Sequence, residues 1–357
     1  MSDDATGIKD VEIVPNMNIK DEKKSIEEFK EKPSGQMELF YLLDKDDRDF
    51  SHLVDLYDLL PKFLAGRHKR TNGKYLPAVS KDFTYRGVRY SLIIKPARLT
   101  KTENGEVVEE KEFYPGTKEE LIEDALRKIA CDGAGMMLAD DQGEEAGVVF
   151  TLYGLQQELK RSGHSYSIVE IKEGLMVGAQ TILEVRSADG KDVLLSPMFS
   201  TVGITDRKDW KEKGKNSKAF VRFNPLVSRS IKQKTYRQFA YTTSMRFRYS
   251  LARYLHKRMS FMFRQASRME TYSILLKTLL EDSGTTFYSK LSNNNRQVKK
   301  AFDELIELNI ISQYDEEVIT TTGGKIDDVK YTLYPHGDFI KNMRRFNAQA
   351  SLITSKI

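Results

Sequence analysis

Five polar side chains between positions 294 and 300 have the types that read nucleic-acid bases: Asn294, Arg296, Gln297, Lys299 and Lys300. Arg and Lys donate to the acceptors that guanine shows in the major groove, and Asn and Gln match the paired donor and acceptor of adenine. Arg296, Gln297, Lys299 and Lys300 lie off an apolar stripe of Val298, Phe302, Leu305 and Ile306, whose spacing predicts a helix from about Asn293 with one face buried and Asn294 at its entrance. Lys290 stands at the entrance of that helix, placed to meet a phosphate.

Residues for covalent chemistry do not assemble in the same way. No Gly-x-x-x-x-Gly-Lys-Ser/Thr loop is present, and Thr322-Gly323-Gly324-Lys325 has too short a glycine spacing to cradle a nucleotide triphosphate. His52, His68, His164, His256 and His336 are scattered, without the His-x-His pair of a rolling-circle nickase metal site. His256 has no Arg three residues on, against a tyrosine recombinase. The pairs Asp140-Asp141 and Glu144-Glu145 read as a solvated loop, whereas a metal-dependent nuclease needs its acids on rigid elements. The single Cys131 excludes a disulfide framework or a cysteine zinc site and fits a reducing compartment. The expectation is a protein that is not an enzyme, with no cofactor and no metal.

Charge is distributed unevenly. From Lys213 to Met269 there are fifteen Lys and Arg and no Asp or Glu, against a chain total of +5, so the remainder stands at −10. Phe220, Phe223, Tyr236, Phe239, Phe247, Tyr254 and Phe261 are interleaved with those charges, so the run folds and buries a face instead of forming a disordered tail. It is expected to turn Arg246, Arg248, Arg253, Lys257 and Arg258 outward as a phosphate-binding surface. Lys232, Lys234 and Arg237 join that set from the same run, and Lys290, Arg161 and Lys172 from outside it.

The elements that must position these residues follow from pattern. Residues 1–35 are rich in Lys, Asp and Glu and read as a disordered arm closed by Pro33-Ser34-Gly35. Asp49 to Leu60 suits a short amphipathic helix ended by Pro61. Phe83 to Ile94 reads as a strand, to which Glu112–Tyr114 can pair after a loop at Asn104-Gly105. Thr117-Lys118-Glu119-Glu120 has the form of a capping box for a helix stopped by Gly133.

Two later segments share the order helix, turn, helix, hairpin. The first comprises Leu152–Lys160, a helix from Ser165, and strands Ile182–Val185 and Val193–Leu195 around Asp189-Gly190. The second comprises a helix through Ile274, Leu275, Leu279 and Leu280, the helix from Asn293, and strands Ile310–Tyr314 and Val329–Leu333. This is the winged-helix pattern, in which a helix enters the major groove and a hairpin reaches the adjacent backbone. The fold class is therefore α+β, two tandem winged-helix domains after a disordered arm. The boundaries are an arm at 1–35, an N-terminal domain at 36–212, a C-terminal DNA-binding domain at 213–340 and a tail at 341–357. The first unit's exposed set, Tyr166, Ser167, Glu170, Lys172 and Glu173 preceded by Arg161 and His164, is weaker in positive charge. It suits lighter contacts and dimerisation. No stretch reaches the length and apolarity of a membrane helix, and the start Met1-Ser2-Asp3-Asp4 lacks a signal-peptide layout, so the expected location is the cytoplasm.

The strings Phe150-Thr151-Leu152-Tyr153-Gly154-Leu155, Ser165-Tyr166-Ser167 and Phe247-Arg248-Tyr249-Ser250-Leu251-Ala252-Arg253-Tyr254-Leu255, in that order and spacing, resemble the plasmid replication initiators that recognise iterons, in particular the bacterial replication initiator protein A group. The resemblance spans about residues 36–335. It implies two winged-helix domains on a direct repeat of double-stranded DNA at a plasmid origin, origin melting, and recruitment of the host helicase and polymerase. The chain departs from the family between Leu99 and Glu112 and after His336. A second resemblance is to the short peptide that docks on the bacterial sliding clamp: Gln36, Met37, Leu39 and Phe40, with Met37 in place of the usual Leu. The alternative class, a winged-helix transcriptional regulator on an operator, shares the DNA-binding parts and has no use for Gln36–Phe40.

Overall fold

The computed structural model describes residues 49–54, 56–64, 75–140, 143–204, 218–233 and 235–355. The arm, the clamp-like peptide at 36–40, His68 and Lys234 lie outside the described residues.

Where the apolar spacing after Asp49 predicts a helix, the chain instead forms a strand, β1 (Phe50–Val54), and only Tyr57–Leu59 coil into a single 3-10 turn. β1 pairs antiparallel with Tyr236–Ala240, and four of its five residues are buried. A strand covered on both faces carries no alternation, so local period misleads there. The strand expected at Phe83–Ile94 is two, β2 (Val79–Tyr85) and β3 (Val88–Lys95), because Arg86 and Gly87 take φ of 49° and 79° and turn the chain. β4 (Ala97–Glu103) and β5 (Glu106–Phe113) form a separate hairpin about Asn104-Gly105, so Glu112 faces Arg98 and not the preceding hairpin.

Helix α1 (Thr117–Ile129) starts one residue earlier than its capping-box reading, with the Gly116 N–H donating to the Glu119 carboxylate at 2.9 Å. β6 (Gly135–Asp140) and β7 (Gly143–Thr151) follow as a hairpin, so Asp140, Glu144 and Glu145 belong to strands and not to an irregular loop. Then come α2 (Leu152–Arg161), α3 (Ile168–Gln180), β8 (Ile182–Ser187) and β9 (Val193–Pro197). The α3 capping box is Ser167 with Glu170: the Glu170 N–H donates to Ser167 Oγ at 3.2 Å and the Ser167 N–H to the Glu170 carboxylate at 2.8 Å. β10 (Phe199–Ile204), β11 (Lys218–Phe223), α4 (Pro225–Lys232) and β12 (Tyr236–Ala240) complete the first half. Its sheets run β2-β3-β8-β9 and β10-β11-β7-β6.

Short α5 (Tyr241–Arg246) leads to α6 (Ser250–Met262), β13 (Tyr272–Leu275), α7 (Leu276–Ser283), α8 (Leu291–Glu307), and the hairpin β14 (Ile311–Thr320) and β15 (Ile326–Pro335). Ile274 and Leu275 thus belong to a strand ahead of α7. β13 joins the hairpin in a sheet ordered β13-β15-β14. The segment assigned to a tail is helix α9 (Gly337–Ser355). Its Phe339, Ile340, Met343 and Phe346 are buried in the second core, and Phe346 meets Phe50 edge-on at 5.1 Å.

Two apolar cores organise these elements. The first takes Leu53 through Met245, with Phe261 returning to it, and the second Phe247 through Phe346. The chain passes from one core to the other at Met245–Phe247, inside the basic run. No described helix is long and apolar enough to cross a membrane.

Candidate nucleic-acid interface

Helix α8 is oriented by its own sequence. Val298, Ala301, Phe302 and Leu305 are buried at helical spacing, while Ser292, Arg296, Lys300, Asp303 and Glu307 are exposed on the other face. A shallow depression on that face is lined by Ser292, Asn295, Arg296, Lys299, Lys300 and Asp303. The Tyr331 hydroxyl of β15 donates to Asn295 at 2.7 Å and ties the helix to the hairpin. From Ser283 to Phe302 the chain holds Lys290, Arg296, Lys299 and Lys300 and no Asp or Glu. The turn before α8 and most of the helix therefore present positive charge, reinforced by the positive end of the helix dipole.

The five residues expected to read bases do not share one role. Arg296 is exposed and donates to Asn293 at 3.3 Å, and Lys300 is exposed with its ammonium 5.9 Å from the Tyr249 ring centre. Lys299 is half-exposed and paired with Glu316 of β14 at 2.9 Å; the hydrogen bond to Glu316 holds its ammonium above the ordinary value. Gln297 turns back on the preceding loop, donating to the Thr286 carbonyl at 3.0 Å. Asn294 is a correction: it is wholly buried, accepts from the Tyr288 N–H at 2.7 Å and donates to the Tyr288 carbonyl at 2.7 Å. It precedes Val298 by one helical turn and so falls on the inward face, fastening a loop where the sequence suggests a base contact.

The expected phosphate donors divide in the same way. Lys232, Arg246 and Lys290 are exposed, Arg161 is exposed and paired with Glu158, and Lys172 is half-buried on α3. Arg248 reaches solvent but is anchored to Glu304 at 2.8 Å and Glu307 at 3.0 Å. Four others are corrections, because Arg237, Arg253 and Lys257 are buried and Arg258 is largely covered and paired. Arg237 donates to the Ser260 carbonyl at 3.1 Å, and burial beside Arg264 pushes its guanidinium down to about 10. Arg253 meets Glu120 at 2.8 Å, Lys257 meets Asp124 at 2.7 Å and Glu120 at 3.2 Å, and Arg258 meets Asp282 at 2.9 Å.

Two cations of the basic run, Arg253 and Lys257, are answered by Glu120 and Asp124 of α1. Asp58 and Glu123 extend the cluster, taking Arg127 at 2.6 and 2.8 Å, and Lys62 reaches Glu123 at 3.5 Å. Four carboxylates and four cations are thus buried together. Burial works to push the Asp58 and Glu120 carboxyls up, yet Arg127 with Lys62, and Arg253 with Lys257, hold them below the usual carboxylate range. The signal for this is in the sequence: Glu119, Glu120, Glu123 and Asp124 crowd one helix while residues 213–269 have no acid at all. Complementary charge separated along the chain marks an internal contact as readily as an external partner.

No family model matches the chain, and no curated protein does. Similar solved structures include selenomethionine derivatives of domains 2 and 3 of RctB, at 10% identity over 79% of this chain and 96% of that one, with a TM-score of 0.46. The Pi initiator protein in complex with iteron DNA is similar at 14% identity over 62% and 95%, with a TM-score of 0.42. A second structure of RctB domains 2–3 aligns at 10% identity over 79% and 98%, with a TM-score of 0.42.

Proposed function

We propose that this chain binds double-stranded DNA through two winged-helix units and starts replication at a plasmid origin carrying direct repeats. The units are α2–α3 with hairpin β8–β9, and α7–α8 with hairpin β14–β15. The observation that carries the reading is the stretch from Ser283 to Phe302, the turn and the first three helical turns of α8, which holds cations and no acid and is fixed against a hairpin whose tip from Thr320 to Lys325 is exposed. A helix of that kind fits the major groove, and a hairpin beside it reaches the neighbouring backbone.

Direct repeats, melting, and recruitment of host helicase and polymerase rest on the resemblance of residues 150–155, 165–167 and 247–255 to iteron-binding initiators. Gln36, Met37, Leu39 and Phe40 extend the partners to the host sliding clamp, with Phe40 as the aromatic anchor. On this reading the protein works in the cytoplasm without cofactor or covalent chemistry, and strand opening draws on binding energy and host motors. Helix α3 exposes Val169 and Met176 beside Glu170, a surface better suited to light DNA contact and to a homodimer than to strong phosphate binding.

The test is a footprint and affinity titration on the DNA flanking the protein's own gene, at two salt concentrations. Protection of tandem direct repeats with steeply salt-dependent affinity supports the initiator. A lone protected palindrome favours a transcriptional regulator, and no protected site sinks both.

A further inference from the structure

Phe287 and Tyr288 stand in the turn between α7 and α8, 51% and 46% exposed, and belong to neither core. Two half-exposed aromatic residues side by side stand out on a polar turn, and this turn is held by hydrogen bonds from α8. Asn294 clamps the Tyr288 N–H and carbonyl from the buried side of α8, both at 2.7 Å, and Gln297 holds the Thr286 carbonyl at 3.0 Å. At the other end Gly284 adopts φ 66°, so close to Pro61 that a Cβ there would meet the Pro61 Cβ at 2.7 Å. A large side chain on a fixed turn loses little freedom when it is covered, so its apolar area goes into affinity.

The chemistry around the rings selects what covers them. Lys290 and Arg296 flank the turn, and no acid occurs between Ser283 and Phe302, so the partner is polyanionic and also offers apolar area. In duplex DNA the major groove offers one apolar group that carries sequence information, the 5-methyl of thymine. We infer that Phe287 and Tyr288 read thymine: their rings pack on thymine 5-methyl groups where α8 enters the groove, and Asn294 is the positioning residue behind them. The inference rests on the reading of α8 as a groove helix, and it adds a base-specific apolar contact to the polar ones.

The experiment selects binding sites from a random duplex pool with the full-length chain, with Arg296→Ala, and with the double variant Phe287→Ala/Tyr288→Ala. The selected duplexes are then remade with deoxyuridine for thymine, one position at a time. The wild-type chain is expected to enrich a motif in which one or two thymines are sensitive, uracil weakening binding about three- to fivefold for one buried methyl. The aromatic variant loses that preference and that penalty together while still unfolding in one cooperative transition, because neither side chain belongs to a core; Arg296→Ala keeps them and relaxes a different base. An aromatic variant with the wild-type motif and the wild-type uracil penalty overturns the inference, as does a motif without sensitive thymine. If the wild-type chain enriches no motif at all, the groove-helix reading fails first and the thymine contact falls with it.

Discussion

Lys257 of α6 and Asp124 of α1, 133 positions apart, meet at 2.7 Å with both side chains buried. The pair joins the first helix of one half to the helix that opens the other, inside a cluster where Glu120 also holds Arg253 and Lys257. An ion pair so far from water is not free to neutralise a phosphate. It makes the basic run an internal seam along part of its length.

Breaking one side of that pair leaves a charge buried without compensation. Lys257→Met and Asp124→Leu are each expected to lower unfolding free energy by about 3 to 5 kcal/mol, and the double substitution to recover much of the loss. Urea denaturation measures this. The salt dependence of DNA binding by the folded fraction should stay as in the wild type; a flattened slope for Lys257→Met would show that Lys257 reaches DNA after all.

Acid should destabilise the fold earlier than carboxylates alone require. Burial, with Lys128 and Arg127 nearby, lowers His52 to about 3, and burial with Lys257 adjacent lowers His256 to about 3. Both rings are neutral in the folded chain and protonate near 6.5 when unfolded, so the unfolded state binds more protons below that pH. Stability is full above about 6.5 and declines as pH falls toward 3, by about 2 kcal/mol for each ring between pH 7 and pH 5. Urea midpoints across that interval check it: His256→Phe should reduce the slope, and an unchanged slope would place the proton uptake elsewhere.

Much of this architecture is legible in the sequence, and most of the failures share a cause. Helices α1, α2, α3 and α8 and the hairpins at Gly190 and Gly324 follow from apolar period, caps and turn residues, which are local properties. β1 is missed because its partner lies at Tyr236–Ala240, whereas α9 is legible in the helical spacing of Phe339, Ile340, Met343 and Phe346, which a reading of the segment as a tail passes over. Arg253, Lys257 and Asn294 are misplaced for the same reason as β1. Side-chain type says what a group can bond to, and only tertiary contact decides whether the partner is a base, a phosphate, an acid of α1 or the Tyr288 backbone.

Asn294 and Arg296, two positions apart on α8, should fail differently. Asn294→Ala removes two part-buried hydrogen bonds to Tyr288 and empties a wholly buried position, an expected loss of about 1 to 3 kcal/mol of stability. Arg296→Ala should leave stability within about 0.5 kcal/mol and weaken specific DNA binding by about 1 to 3 kcal/mol if its fork meets a guanine. Thermal unfolding and a binding titration on the same preparations separate the two. Equal loss of stability in both variants would refute the division of the helix into an inner and an outer face.

The Lys299–Glu316 pair is the remaining lever on the interface, because it sits between α8 and β14 with both side chains part-exposed at 39% and 38%. A surface pair of this kind contributes about 0 to 1 kcal/mol to folding, so Glu316→Gln should leave the unfolding midpoint nearly unchanged. It removes the negative charge beside Lys299 and leaves a neutral amide acceptor, so the ammonium is held more weakly and, on the proposed reading, a repulsion toward DNA is lost. DNA affinity at low salt should therefore rise, and the slope of log affinity against log salt should steepen by about 0.9 if Lys299 then takes one phosphate. The opposite result has a definite meaning too: if Glu316→Gln weakens binding and relaxes the choice at one base pair, then Glu316 aims Lys299 at a base edge, and the pair is part of the reading head instead of a restraint on it.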